Sequence, residues 1–450
     1  MRVRIVVVAA VLVASLFAMA ASSSAKQEKP GTGAATVALA WNAYAVTAVR
    51  SAASTNQLPP GTTSRALYQT EGLLYMSYVQ AAVYDAATKI GHRYAPYHHF
   101  SVGAGNASIE AAVIAAAYDT LVYYLGDPTG VLAQHYADSI GVLPDDKNTT
   151  RGIAVGEAAA ADIESLRAND GRNAPTPAPN AGAPTNPVQA GVWVWPPTPS
   201  LQIDQTPWLA VMQPFMLEST SQFRAPPPPA LTGDTYAHDL NETMAAGSNL
   251  PPGDPRGDVA WFWNANAINQ LNKTLQDFAT QNSMDLLDTT RLLAMGTMVP
   301  TDAGMACFDS KYTYRFWRPI TAIQNAGIDG NPATNPPLTP WSPLTATPNH
   351  PEYPSQHGCV TSALAQVLAH AVGTPDIDAT IWGATAASPT GLVTTRVFPT
   401  VQSLDDELVN ARVWIGFHFR NSVLAGEHLG SAVANWELQR NFQPTADQDS

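Results

Sequence analysis

Lysine is nearly absent from this 450-residue chain, which holds six, and only 13% of its residues are charged, against roughly 25% in an average soluble domain. Acids outnumber bases 36 to 23. The basic footprint that a phosphate backbone demands is therefore missing, which argues against nucleic acid as a partner. Any anion bound here has to be held by a local group of bases working against the mean field. Cysteine is limited to Cys307 and Cys359, with no Cys-x-x-Cys and no zinc-type spacing. The chain shows almost no strict alternation of apolar and polar residues and no internal repeat. Beyond residue 30 it has no uninterrupted apolar run approaching the roughly twenty residues of a membrane span, so no stable span is expected in the mature chain. What is present in quantity is apolar surface, at 45% of residues, punctuated by 30 glycines and 37 prolines.

The first 25 residues stand apart. Arg2 and Arg4 precede an apolar run from Ile5 to Met19, and the small residues of Ala18-Met19-Ala20 and Ser23-Ser24-Ala25 follow. This pattern reads as a signal peptide cleaved after Ala20 or Ala25, which predicts a secreted or periplasmic protein. An uncleaved anchor is the alternative, but a run this short falls below a span. Export permits a Cys307–Cys359 disulfide, two buried free thiols being the other outcome.

Apolar residues recur at three- and four-residue spacing over 66–90, 108–125, 150–168, 257–280, 284–305, 355–372 and 403–440, most of these rich in alanine. Between the third and fourth lies a stretch from Pro175 to Pro229 with fourteen prolines, which excludes helix. Trp193, Trp195, Trp208, Phe215 and Phe223 are interleaved in it, so it reads as an ordered wrap over a helical surface. The expected fold is all-α: a signal peptide (1–25), an N-terminal helical bundle (26–174), a proline-rich connecting wrap (175–232) and a C-terminal helical bundle (233–450).

Three clusters in the C-terminal half concentrate bases and histidines. In Lys311-Tyr-Thr-Tyr-Arg-Phe-Trp-Arg318-Pro319, a separation of seven is two helical turns. It predicts Lys311 and Arg318 on one face, about 10 Å apart, where they suit an oxyanion or form a solvated basic face. In His350-Pro351-Glu352-Tyr353-Pro354-Ser355-Gln356-His357-Gly358, Pro354 stops what precedes it and Ser355 is a natural N-cap. The first turn of the helix would then offer N–H groups to an anion, and His357 a proton. The third cluster places Arg412 six residues before His418, which is not one helical stripe, although a long arginine side chain reaches round to a neighbouring face. Each cluster alone has an ordinary structural explanation: a basic face, a helix cap, a core histidine.

Taken in order, the pattern K-x6-R-P, P-S-x-H, R-x5-H resembles the three-part signature of the vanadium haloperoxidase and type 2 phosphatidic acid phosphatase superfamily. The haloperoxidase branch is the closer likeness, because a long helical half precedes the motifs. Trp41, the Ala82-Val83-Tyr84-Asp85-Ala86 stretch, Arg93-Tyr94-Ala95-Pro96-Tyr97 and Trp261-Phe262-Trp263 are similar to bacterial members, so the likeness covers roughly residues 36 to 440. The resemblance implies that Lys311, Arg318 and Arg412 grip the oxygens of vanadate, or of phosphate in the same site. It further implies that Ser355 and the Gln356 backbone N–H donate to the anion, that His357 is the general acid/base, and that His418 binds the metal. The implied partners are hydrogen peroxide and a halide, making the chain a peroxidase-type oxidoreductase. The alternatives are an exported acid phosphatase with a phosphohistidine at His418, acting on a phosphate ester, or a weakened oxyanion-binding relative.

Three departures accompany the resemblance. Gln356 stands where the family usually has Gly. Ser422 stands where many members have an Asp that orients the metal-binding His, which weakens the phosphatase reading in particular; Asp302 or Asp309 is a candidate substitute. His350, five residues before the Ser, matches a His of algal bromoperoxidases where chloroperoxidases have Phe, which leans the resemblance toward bromide or iodide.

Overall fold

The computed structural model describes residues 32–58, 61–175, 182–183, 187–196, 203–247, 250, 253–334 and 340–445; the expected signal peptide lies outside the described residues. Thirteen α-helices occur among them. In the first half these are α1 (Thr32–Ser51), α2 (Gln69–Gly91), α3 (Ile109–Leu125), α4 (Val131–Gly141) and α5 (Lys147–Leu166). The second half holds α6 (Asp234–Gly247), α7 (Pro255–Phe262), α8 (Ala267–Gln281), α9 (Leu286–Tyr314), α10 (Pro319–Gln324), α11 (Gln356–Val372), α12 (Val401–Trp414) and α13 (Arg420–Leu438). Two antiparallel strand pairs complete the described elements: the minimal β1 (Ala53–Ser54) with β2 (Arg65–Ala66), and the hairpin β3 (Asp376–Gly383) with β4 (Thr394–Thr400).

The all-α class is the observed one, with local corrections. The apolar pattern over 257–280 is two helices, because Asn266 ends the break after α7 and caps α8 by accepting from Asn269 N. The pattern over 403–440 also divides, at Gly416 (φ 83°), a left-handed position that suits glycine; a Cβ there would lie 2.9 Å from the Trp341 ring. The hairpin was not expected. Its strand β3 does alternate, with Ile377, Ala379 and Ile381 turned to the core, but eight residues of alternation are easily lost among long helices.

One apolar core runs through helices of both halves, from Trp41 in α1 to Phe442 beyond α13. Its central member is α9, buried along most of its length. Helices α11 and α13 approach each other backbone to backbone: a Cβ on Gly430 would lie 2.1 Å from the Cys359 carbonyl oxygen, and one on Gly426 2.5 Å from that of Ser355. The described part of the proline-rich stretch is tied down. Trp193, Trp208 and Phe215 are buried, and Arg167 donates to the carbonyls of Gln213 (2.5 Å) and Pro214 (2.9 Å). Asp302 of α9 accepts from the backbone N–H groups of Phe215 (2.8 Å), Met216 (2.7 Å) and Leu217 (3.3 Å).

Facing Asp302 is Glu437 of α13, fully buried. No donor from elsewhere reaches its carboxyl oxygens. Three N–H groups hold the charge on Asp302, so the pair is satisfied when Glu437 keeps a proton and donates it to Asp302. Burial, then the Asp302 charge, pushes Glu437 well above the usual carboxylate range. The stability this contributes is complete below the unfolded value near 4.3 and is lost as pH rises toward the elevated folded value. Glu437→Gln supplies a permanent donor. The melting temperature of wild type is expected to fall between pH 5 and 8 relative to Glu437→Gln, with the variant higher by a few degrees at pH 8, as read by circular dichroism melts.

Candidate active site

Helix α9 ends at Tyr314, and Arg315 turns the chain through a left-handed conformation (φ 48°). Arg318 is thereby the N-cap residue of α10. The expectation of one helical face for Lys311 and Arg318 is corrected: they come from a helix end and the turn beyond it. Both are buried. Lys311 Nζ spends its three donors on the carbonyls of Pro351 (2.8 Å), Glu352 (2.9 Å) and Pro354 (2.5 Å), so it gathers the loop before α11 and lies beneath the pocket, outside its lining. Arg318 donates through Nε to His350 O (2.9 Å) and through Nη1 to Phe417 O (3.0 Å) and His418 Nε2 (3.1 Å). Its Nη2 reaches His350 Nδ1 at 3.0 Å.

Ser355 caps α11 as expected, its Oγ accepting from Gly358 N at 3.5 Å, while its own N–H donates to Ser422 O at 2.9 Å. The next two residues, Gln356 and His357, open the helix toward a pocket of about 580 Å³. The Gln356 side chain folds toward Gly304 of α9, where a Cβ would lie 2.9 Å from Nε2, and the first-turn N–H groups of α11 have no acceptor within the helix. His357 shares an acceptor with Arg412, the Trp263 carbonyl. Arg412 comes from the last turn of α12, and the turn at Gly416 brings His418 back to it. Gln356, His357, Arg412, His418 and His350 all line this one pocket; Arg318 touches His418 from below, and Lys311 and Ser355 support the loop and cap that shape its floor.

The carboxylate that Ser422 cannot supply is present nonetheless. Glu352 Oε1 lies 2.9 Å from His418 Nδ1 and also accepts from Phe419 N at 3.0 Å. Oε1 is thus an acceptor and Nδ1 carries the hydrogen, which leaves the Nε2 lone pair toward Arg318. Asp302 and Asp309 are excluded from this role: the first holds the wrap, and the second pairs with Arg224 (2.6 Å). Sequence reasoning missed Glu352 because the family's Asp sits four residues after the histidine, whereas Glu352 comes from a loop 66 residues before it. The one available signal was a lone acid between two prolines in the histidine cluster. Cys307 and Cys359 are both buried free thiols, which corrects the disulfide expectation; Cys307 Sγ contacts Pro354 O at 3.6 Å, adding to the floor of the site without a covalent staple.

The electrostatics are unusual. Lys311, Arg318 and Arg412 are 0–1% exposed, and none forms a salt bridge with a carboxylate among the described residues, Glu352 being the acid whose charge acts on Lys311 and Arg318. Burial pulls Lys311 down to about 8, Arg318 to about 10 and Arg412 to about 9. Burial, reinforced by these cations, also holds His350, His357 and His418 well below the usual histidine range, so all three are neutral. Burial raises Glu352 to about 7. Arg412 Nε has no partner. A buried group short of negative charge, with an orphaned guanidinium N–H and a helix N-terminus, fits a small oxyanion.

Comparison with known proteins agrees with this geometry. Residues 291–445, which include all the residues named for the anion, match the family model for the VCPO second helical-bundle domain. A stretch of 132 residues, 27% of this chain, is 32% identical to vanadium chloroperoxidase of Curvularia inaequalis and spans about a fifth (20%) of that relative's length. The whole fold is similar to the crystal structure of a bacterial vanadium-dependent iodoperoxidase, with TM-score 0.71 at 18% identity over 94% of this chain and 99% of that one. It is also similar to an apo-type bacterial vanadium-dependent chloroperoxidase, with TM-score 0.65 at 19% identity over 83% and 95%. The fold class is that of the bacterial vanadium haloperoxidases. Residues 291–445 carry the likeness in sequence, and the chain as a whole shares the fold.

Two outcomes follow from the site. Phosphate or vanadate at a hundred times its Kd is expected to stabilise the fold by about 2.7 kcal/mol, a rise of several degrees in a thermal-shift assay. That rise should shrink as pH passes 8 and Lys311 loses its charge, and should largely disappear in Arg412→Ala. For Glu352→Gln, where the amide cannot accept as a carboxylate does, oxyanion affinity is expected to drop 10- to 100-fold, the range for lost outer partners of a ligating histidine, measured by calorimetric titration with orthovanadate.

Proposed function

We propose that this chain is a vanadium-dependent haloperoxidase that oxidises a halide with hydrogen peroxide. The observation that carries the reading is His418: a neutral imidazole, Nδ1 held by Glu352, Nε2 presented beside Arg318 at the floor of a pocket that Arg412 lines, with neither arginine in a salt bridge to a carboxylate among the described residues. Vanadate, when bound, supplies Lewis-acid activation of peroxide without changing its own oxidation state. The residues that would hold it are His418 through Nε2, Arg318 and Arg412 through guanidinium N–H groups, and the first-turn N–H groups of α11.

The chain's own contribution is binding, orientation and proton supply. Arg318 Nη1 donates to Phe417 O and to the Nε2 lone pair of His418, so its bond to Nε2 is exchanged for one to an oxygen of the anion when Nε2 is taken. Lys311 holds the Pro351–Pro354 carbonyls together and so fixes Ser355 and the start of α11. His357 donates one ring hydrogen to Trp263 O and keeps its other nitrogen for the pocket. An oxyanion offsetting the neighbouring cations would raise its basicity, letting it accept a proton from peroxide and return it to a leaving oxygen. Export through residues 1–25 belongs to the same proposal and is supported by Arg2, Arg4 and the apolar run after them.

One observation sustains a second reading. The Glu352–His418 contact provides the charge support a nucleophilic histidine needs, so a phosphatase acting through His418 is the competitor. Protein loaded with vanadate is expected to oxidise bromide or iodide only when peroxide is added, and His418→Ala to lose that activity by at least a hundredfold. The apo protein is expected to hydrolyse p-nitrophenyl phosphate slowly. Efficient hydrolysis, blocked by vanadate with no gain of halide oxidation, would replace the first reading by the second.

A further inference from the structure

His418 sits in a short connection, 415–419, between α12 and α13. Its backbone has little local support: the N–H groups of Phe417 and His418 share one carbonyl, that of Arg412, both at 3.3 Å. The chain then enters α13 at Phe419, an N-cap residue whose side chain offers no acceptor. The first N–H groups of that helix therefore need acceptors from elsewhere.

Two carboxylates supply them. Glu352 takes Phe419 N, and Asp239 of α6 takes Asn421 N at 3.0 Å. Asp239 is 5% exposed, and a carboxylate at the positive end of a helix dipole is favourably placed. Its neighbours on α6 hold the adjoining residues: Glu242 accepts from Arg420 Nη2 (2.6 Å) and Nε (2.9 Å), and Thr243 Oγ1 donates to the carbonyl of His418 itself at 3.4 Å. Helix α6 is in turn fixed, because Trp341 donates through Nε1 to Met244 O (3.0 Å) while its ring fills the space beside Gly416. Asp239, Phe419, Asn421, Ser422 and Glu352 line one cavity of about 10 Å³, room for a single water at most, so the loop has little space to shift. All of α6 lies outside the 291–445 stretch that the family model matches.

We infer that α6 is a latch on the histidine loop, with Asp239, Glu242 and Thr243 as positioning residues that act by fixing where His418 Nε2 lies. The lining of the pocket includes none of the three, so they act through the loop alone. The inference rests on the proposed role of His418 as the vanadium ligand. A nitrogen lone pair has to meet a metal within about 0.5 Å and 10–20° of the productive geometry, whereas hydrogen bonds from long arginine side chains to an anion tolerate more. The latch therefore bears on vanadate, which takes Nε2, and much less on phosphate held by the cations. Asp239 matters most, because the Glu242–Arg420 pair is 26% and 28% exposed and solvent weakens such a pair.

Calorimetric titration with orthovanadate and, separately, with inorganic phosphate tests the latch without any turnover. In Asp239→Ala the orthovanadate Kd is expected to rise 10- to 100-fold, the range for lost outer partners of a ligating histidine. The phosphate Kd should change by less than about threefold, phosphate making no bond to Nε2 that needs such precision. Asp239→Asn keeps a carbonyl oxygen for Asn421 N and should restore the wild-type ratio of the two affinities. Thr243→Val, which keeps the side-chain shape, should lower that ratio in the same direction and serves where the alanine variant does not fold. Equal losses for both anions indicate general loosening and overturn the inference, as does an unchanged ratio in Asp239→Ala and Thr243→Val, or an Asp239→Asn that binds like Asp239→Ala. His418→Ala, titrated alongside, separates the two levels: it should bring the anions to similar affinity, and a wild-type ratio there sinks the reading of His418 as metal ligand instead of the latch.

Discussion

Positive charge buried without a carboxylate partner is the constraint on which the rest of this structure depends. Removing an ion from water costs several kcal/mol even after relaxation, and here three cations from an unusually base-poor chain share one small volume. The protein answers them with carbonyl dipoles. Lys311 takes three carbonyls from the 351–354 loop and Arg318 takes those of His350 and Phe417. Proline suits such a loop: Pro348, Pro351 and Pro354 bring acceptors without N–H donors to compete for them. The residual deficit is centred on Arg412 and the neutral histidines, where an oxyanion would complete the site.

Keeping His418 neutral and oriented is the second requirement, and two features meet it together. Burial, reinforced by the cations, suppresses its protonation, and Glu352 fixes which nitrogen carries the hydrogen. Glu352 can do so only because α11 and α13 pack at backbone distance through Gly426 and Gly430, and because Ser355 N bonds to Ser422 O across the same junction. A larger residue at either glycine would separate the histidine loop from the glutamate loop. The fourth position after the histidine can therefore be a serine: its carbonyl accepts from Ser355 N and its hydroxyl donates to Glu352 O at 3.4 Å, and both tie the two loops together.

The N-terminal half has a part in function that the motifs do not reveal. Helix α2 packs on α9 and supplies a wall of the pocket, while the wrap, held by Arg167 and Asp302, includes Gln205, whose N–H bonds to Asn349 O beside the His350 loop. The anion site is local to the last third of the chain. The space above it belongs to the whole fold.

Much of this was legible from residues in order. Helices at 108–125 and 355–372 were found almost to the residue, since capping serines and alanine-rich periodicity act over a few neighbours. The three clusters named Lys311, Arg318, Ser355, His357, Arg412 and His418 because their types and spacing are unusual in so acidic a chain. Short-range rules failed where the chain turns back on itself: at Arg315, which takes Arg318 off the helical face of Lys311; at Gly416, which returns His418 to Arg412; and in the hairpin that brings Ile381 to the pocket. The partner of His418 was beyond sequence altogether. Glu352 and His418 are 66 residues apart, and their contact exists only because glycines let two helices touch, so the sequence determined which groups could do chemistry while packing decided which of them meet.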